Sequence, residues 1–72
     1  MAPFDKQTAG TRSLLRALEG PSVLVERLYE IGFLPGEEFV FLGRAPLGGP
    51  WLFQVRGITV ALRIEEAQCL AV

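Results

Sequence analysis

The chain is 72 residues long and half hydrophobic, with seven Lys and Arg against eight Asp and Glu, no His, and a formal net charge of −1. A chain of this size forms one domain, residues 1–72, burying only about 60% of the surface its unfolded form exposes. Its interspersed, nearly balanced charges exclude the electrostatic footprint of a nucleic-acid binder or of a surface drawn to anionic lipid. With Cys69 alone and no His, neither an internal disulfide nor a Cys/His zinc cluster can form, and a single thiol without a secretion signal fits a cytoplasmic protein.

Residues 1–10 read as a loosely ordered lead whose Phe4 plugs one end of the core. Asp5, Lys6, Arg12, Arg16 and Glu19 interrupt the apolar residues of the first twenty, so neither a signal peptide nor a membrane span can be drawn there. The segment 11–18 fits two patterns: Leu14 and Ala17 suit a helix, while Leu14, Arg16 and Leu18 suit one face of a strand, which is the reading taken. Gly20-Pro21 then breaks the chain. Leu24, Leu28 and Ile31 recur at i, i+4 and i+7, the stripe of an amphipathic helix. Ser22 is its expected N-cap, and Gly32 follows the last periodic residue, where a left-handed conformation is cheap without a Cβ. A helix of about nine residues is too short to persist alone in water, so packing must hold it. Pro35-Gly36 supplies the second and third positions of a type II turn.

Beyond that turn the period changes to two. Phe39 and Phe41 alternate with Val40 and Leu42, so this strand is apolar on both faces and belongs at the centre of a curled sheet. Arg44 to Pro50 is a loop rich in Pro and Gly. Trp51, Phe53 and Val55 alternate with Leu52, Gln54 and Arg56 as a half-buried strand. Gly57 turns the chain into a tight hairpin, and Ile58, Val60, Leu62 and Ile64 continue the apolar face. Glu65-Glu66-Ala67 allows one helical turn, and Cys69 to Val72 a last short strand. Five short strands and one helix suit a small, strongly bent antiparallel β-barrel, whose closure removes sticky edges.

The chemistry-bearing residues are few. Ser13, Ser22 and Cys69 have no His to activate them, so no catalytic residue is assigned and the chain is not read as an enzyme. Glu37-Glu38 and Glu65-Glu66 are adjacent pairs whose side chains diverge, poor as dyads or metal ligands, and read as solvated ends. No cofactor or metal site is assigned. Gly48-Gly49 lacks the Lys-Ser/Thr of a phosphate loop. Trp51 has two readings, core aromatic or exposed anchor beside the loop. Leu47, between Pro46 and Gly48, either folds back over the barrel or offers itself to a partner. Arg56 and Arg63 read as same-face neighbours across the hairpin.

Four groups of residues go further: Arg27-Leu28-x-Glu30-x-Gly32-Phe33-x-Pro35-Gly36, Ala45-Pro46-x-Gly48-x-Pro50, Arg56-Gly57, and Leu62-Arg63-x-x-Glu66-Ala67. In type, order and spacing this set resembles the ferrous-iron transport protein A (FeoA) family. The resemblance implies an SH3-like barrel with a helix inserted after the first strand, and decides the segment 11–18 in favour of strand. It also implies a small cytosolic accessory protein of bacterial ferrous-iron uptake, acting on the cytosolic GTP-binding part of the membrane transporter FeoB. Arg44, Pro46, Leu47 and Trp51 are the expected partner-binding residues; Gly32, Pro35, Gly36 and Gly57 are structural turns and caps. Where the family's loop often carries Asp, this chain has Gly49. The alternative is the SH3-like interaction module of the DtxR-like iron-dependent repressors, although no helix-turn-helix precedes the barrel here. A nucleic-acid-binding barrel would need a basic aromatic face, which a pI near 5.3 does not provide.

Overall fold

The segment expected as one strand changes partners halfway. The computed structural model describes Phe4 and residues 9–72; the rest of the expected loose lead lies outside the described residues. The first strand, β1 (Thr11–Leu14), pairs antiparallel with β3 (Glu38–Arg44), and Leu15 still donates to the Glu37 carbonyl at 2.9 Å. At Arg16 the backbone turns to the other end of the chain: its N–H reaches the Ala71 carbonyl at 2.8 Å, and β2 (Ala17–Leu18) pairs with β6 (Leu70–Ala71). The switch alters which leucine is inside. Leu15 is buried and Leu14 is exposed, the reverse of a continuous strand with Leu14 and Leu18 on one inner face.

Between these segments runs α1 (Ser22–Ile31), anchored by Leu28, with Leu24 and Ile31 packed against the core as their spacing requires. Ser22 is not the cap. Pro21 holds that position without a side-chain hydrogen bond, its carbonyl accepting from Val25 at 3.0 Å. The C-terminus closes as a Schellman arrangement: Gly32 donates to Tyr29 at 3.1 Å and Phe33 to Leu28 at 3.0 Å. Gly32 has φ 120°, and a Cβ there would lie 3.5 Å from Cδ of Arg56, an ordinary contact, so the demand for glycine is in the backbone. Gly32→Ala is expected to cost about 1–2 kcal/mol and to lower Tm by roughly 5–15 °C; an unchanged melting curve would show that the helix end relaxes freely. Leu34 to Glu37 then forms the type II turn, with Gly36 at φ 95° and a closing hydrogen bond of 3.0 Å.

The main sheet has the order β1-β3-β4-β5, with β4 (Trp51–Val55) and β5 (Ile58–Leu62) joined through Arg56 and Gly57, both left-handed at φ 53° and 77°. Arg56 is therefore a turn residue and no cross-strand neighbour of Arg63, which lies past the far end of β5. β3 is central but buried on one face only. Leu42 lies on the face opposite Phe41 and is 39% exposed, at a β-bulge where Phe41 opposes Phe53 and Gly43 opposes Leu52. The apolar period read through β5 also fades: Ile58 is exposed, Val60 half-buried and only Leu62 fully buried, as suits a strand at the sheet's margin. Ile64, expected on the same strand, opens the single turn α2 (Ile64–Ala67).

Inside lie Phe33, Phe39, Phe41, Phe53 and Trp51, and Phe4 closes their open end with edge-on ring contacts at 5.4–6.1 Å to four of them. Its N–H donates to the Leu70 carbonyl at 2.6 Å, fixing the plug to β6. The result is a small, mostly β, SH3-like fold with one short helix after the first strand. Six strands replace the expected five because the first is broken, and the main sheet is not closed by a continuous ladder.

Candidate docking loop and its supports

The loop between β3 and β4 is held by its own backbone. Arg44 and Trp51 face each other as the last strand pair, and the Ala45 N–H donates to the Pro50 carbonyl at 2.9 Å. Within that clasp, Pro46 to Gly49 closes a turn at 3.2 Å with Leu47 at φ 61° and Gly48 at φ 71°, the signs of a type I′ turn. A bulky side chain is rare in that left-handed region, which favours Gly, Asn or Asp. Leu47 occupies it with its side chain wholly in solvent, at 104% of its reference exposure. Of the two readings open for Leu47, the structure takes the outward one.

The other expected contact residues divide. Arg44, expected on the loop, is instead the last residue of β3, and both it and Pro46 on the loop are exposed. Trp51 takes the core reading: it is 8% exposed, with its ring 5.8 Å from Phe41 and 6.1 Å from Phe4, so it braces the loop from beneath and does not present a face to a partner. Gly49 also has a structural reason. A Cβ there would stand 2.9 Å from that of Ala45 and 3.2 Å from the Pro46 carbonyl oxygen, so in this loop conformation a side chain could not enter without a shift.

Beside the loop, Gly48, Gly49 and Pro50 face Arg63 and Glu65 across a shallow cleft. Behind Arg63 and Glu65 lies a residue that the sequence reading placed in solvent. Glu66 is 4% exposed; its Oε1 accepts the Arg63 N–H at 2.8 Å and its Oε2 lies 3.2 Å from Nε of Arg27. One carboxylate thus caps α2 and ties it to α1. The missed signal was the Arg-x-x-Glu spacing at 63 and 66, the distance of an N-cap from its N3 residue. Glu66→Ala is expected to cost about 1–3 kcal/mol, because it removes the cap and the interhelix tie together. Arg27→Ala should cost less than about 1 kcal/mol, since that side chain is 68% exposed. Equal losses in urea denaturation would contradict this division.

Cys69 is buried, its thiol donating to the Glu65 carbonyl at 3.5 Å. Burial first, and then the neighbouring Glu66 charge, push its pKa above the ordinary thiol value, so it is protonated at neutral pH and a poor nucleophile. Among the described residues, no three His, Cys, Asp or Glu side chains are grouped to hold a metal ion. No helix among them is long and apolar enough to cross a membrane.

The FeoA domain family model matches residues 7–72. The chain belongs to the FeoA family. Among solved FeoA structures, iron(II) transport protein A of Clostridium thermocellum is 31% identical at a TM-score of 0.83, the match covering 94% of this chain and 42% of that one. FeoA of Stenotrophomonas maltophilia, complexed with zinc and described as a unique procaryotic SH3 domain protein, is 34% identical at a TM-score of 0.74, covering 89% and 80%. The chain thus spans well under half the length of the first of these relatives and most of the second. ScaR with bound Cd2+ shares 18% identity at a TM-score of 0.81, covering 99% of this chain and 34% of that one, a likeness of fold alone. No curated protein matches.

Proposed function

We propose that this FeoA chain is a cytoplasmic accessory protein of ferrous-iron uptake that docks, through the loop from Arg44 to Pro50, on the cytosolic GTP-binding region of the FeoB transporter. The observation that carries the docking site is Leu47: a large apolar side chain held wholly in solvent by a closed, left-handed turn. Strained residues of this kind persist where the surroundings fix them, and they concentrate at sites that bind. Supporting the wider reading are the family match and the S. maltophilia relative, which has been put forward as an activating factor of bacterial ferrous-iron transport.

In this mechanism the barrel is a rigid body and the transporter domain is the part that switches. Binding shifts the domain's nucleotide-dependent states only by the difference in affinity for them. The test is titration of the labelled chain against the isolated GTP-binding domain of its host's transporter, with GDP and with a non-hydrolysable GTP analogue. Saturable binding whose affinity differs between the two is the expected result. Equal affinity would reduce the chain to a scaffold, and no binding to high micromolar would overturn docking on that domain.

A further inference from the structure

The margins of the sheets are treated differently. Phe4 covers the outer side of β6 by donating to the Leu70 carbonyl at 2.6 Å, and β1 carries Arg12, held 3.4 Å from Glu38. Such coverings and charges keep strand edges from pairing with other chains. β5 has neither. It is the terminal strand of the order β1-β3-β4-β5, and its sequence, Ile58-Thr59-Val60-Ala61-Leu62, contains no Pro, Gly or charge and is rich in β-branched residues. The hairpin closes on the pair Val55 and Ile58 across a two-residue turn, so Ile58, Val60 and Leu62 direct their backbone groups to β4. Thr59 and Ala61 direct theirs outward, and both residues are exposed. Among the described residues, no turn, loop or cap hydrogen bond reaches them.

We propose that this edge of β5 pairs antiparallel with the same edge of a second copy of the chain, about a two-fold axis at Val60. In that register Thr59 and Ala61 of one copy exchange both backbone hydrogen bonds with Ala61 and Thr59 of the other. Val60 faces Val60 and Ile58 faces Leu62, so the inner apolar faces join, and no charged residue within the strands opposes its like. A second copy is the occupant because the segment is self-complementary, as an isologous interface requires. An uncharged strand also offers a charged partner nothing to recognise, while the net charge of −1 sets little repulsion between copies. Pairing is limited to five residues because the chain leaves the strand at Arg63, whose N–H is already committed to Glu66. The dimer is correspondingly weak, with Kd on the order of 0.1–1 mM. It rests on the β5 edge alone and does not depend on the docking loop.

The test combines sedimentation velocity with 15N-resolved NMR on the full chain, from about 10 μM to about 1 mM, the range in which such a Kd is visible. The expected result is a rising sedimentation coefficient with concentration-dependent shifts centred on residues 58–62. Two variants should abolish both changes while leaving the circular dichroism spectrum native. Ala61→Pro removes an outward N–H at an edge position that tolerates proline, and Thr59→Lys places a charge on the edge. A purely monomeric chain at about 1 mM, or self-association that survives both variants, would overturn the proposal. So would association whose shifts map elsewhere. If an extended segment of the transporter bound this edge while the chain alone stayed monomeric, the edge would belong to a different occupant and self-pairing would be excluded.

Discussion

Phe53→Ala is expected to be the most damaging single substitution in the core, removing at least about a quarter of the domain's stability and, if that stability is at the low end, all of it. Phe53 is fully buried at the middle of the aromatic cluster, its ring 5.4 Å from Phe4, 5.5 Å from Phe41, 5.7 Å from Phe39 and 6.1 Å from Phe33. Truncation removes the transfer free energy of the ring and leaves a void that the packed aromatic neighbours cannot fill. Such substitutions cost about 3–5 kcal/mol. At about 0.05–0.15 kcal/mol per residue, a domain of this size holds only about 4–11 kcal/mol in total. Guanidinium denaturation followed by the fluorescence of Trp51, which is buried in the same cluster, reads the loss directly. A cost under about 1 kcal/mol would mean that the barrel recloses around the gap, contrary to the dense packing of protein interiors.

What was legible in the sequence was local. The stripe of Leu24, Leu28 and Ile31, the glycine after it, the Pro-Gly turn and the alternation of Trp51, Phe53 and Val55 are each fixed by residues close in sequence, and each stands where it was drawn. The features that escaped depend on partners far along the chain. Leu15 is inside because Arg16 bonds to Ala71, a choice that no period within 11–18 can reveal. Leu42 is exposed because the second face of β3 is left largely uncovered, and Ile58 because β5 is a margin.

The same distance effect hid half of the candidate site. Glu66 reads as one of two solvated acids until α1 brings Arg27 beside it. Trp51 could be core or surface until Phe4 closes over the cluster. Leu47 could be drawn at a loop tip from Pro46 and Gly48 alone, but not that the turn is left-handed. That required knowing that Ala45 and Pro50 clasp and that Gly49 packs against Ala45 with no room for a Cβ.

Leu47→Asp should separate binding from folding more sharply than any core substitution. The native side chain is entirely in solvent, so the folded state loses no burial when it is replaced. Asp adopts left-handed backbone more readily than Leu, so Tm should stay the same or rise slightly. At a docking surface the balance reverses. An apolar side chain seated in a recess contributes about 1.5–3 kcal/mol, and a carboxylate in its place has to be desolvated without a partner. The expected outcome is a fall in affinity of at least about thirtyfold for the GTP-binding domain, equivalent to about 2 kcal/mol at a hot spot. Leu47→Gly sharpens the reading, since it relieves the strained backbone while deleting the apolar contact and should therefore be at least as stable as the native chain and still bind poorly. If Leu47→Asp bound with native affinity, the loop would be removed from the contact surface, and the left-handed leucine would stand as strain without a docking role.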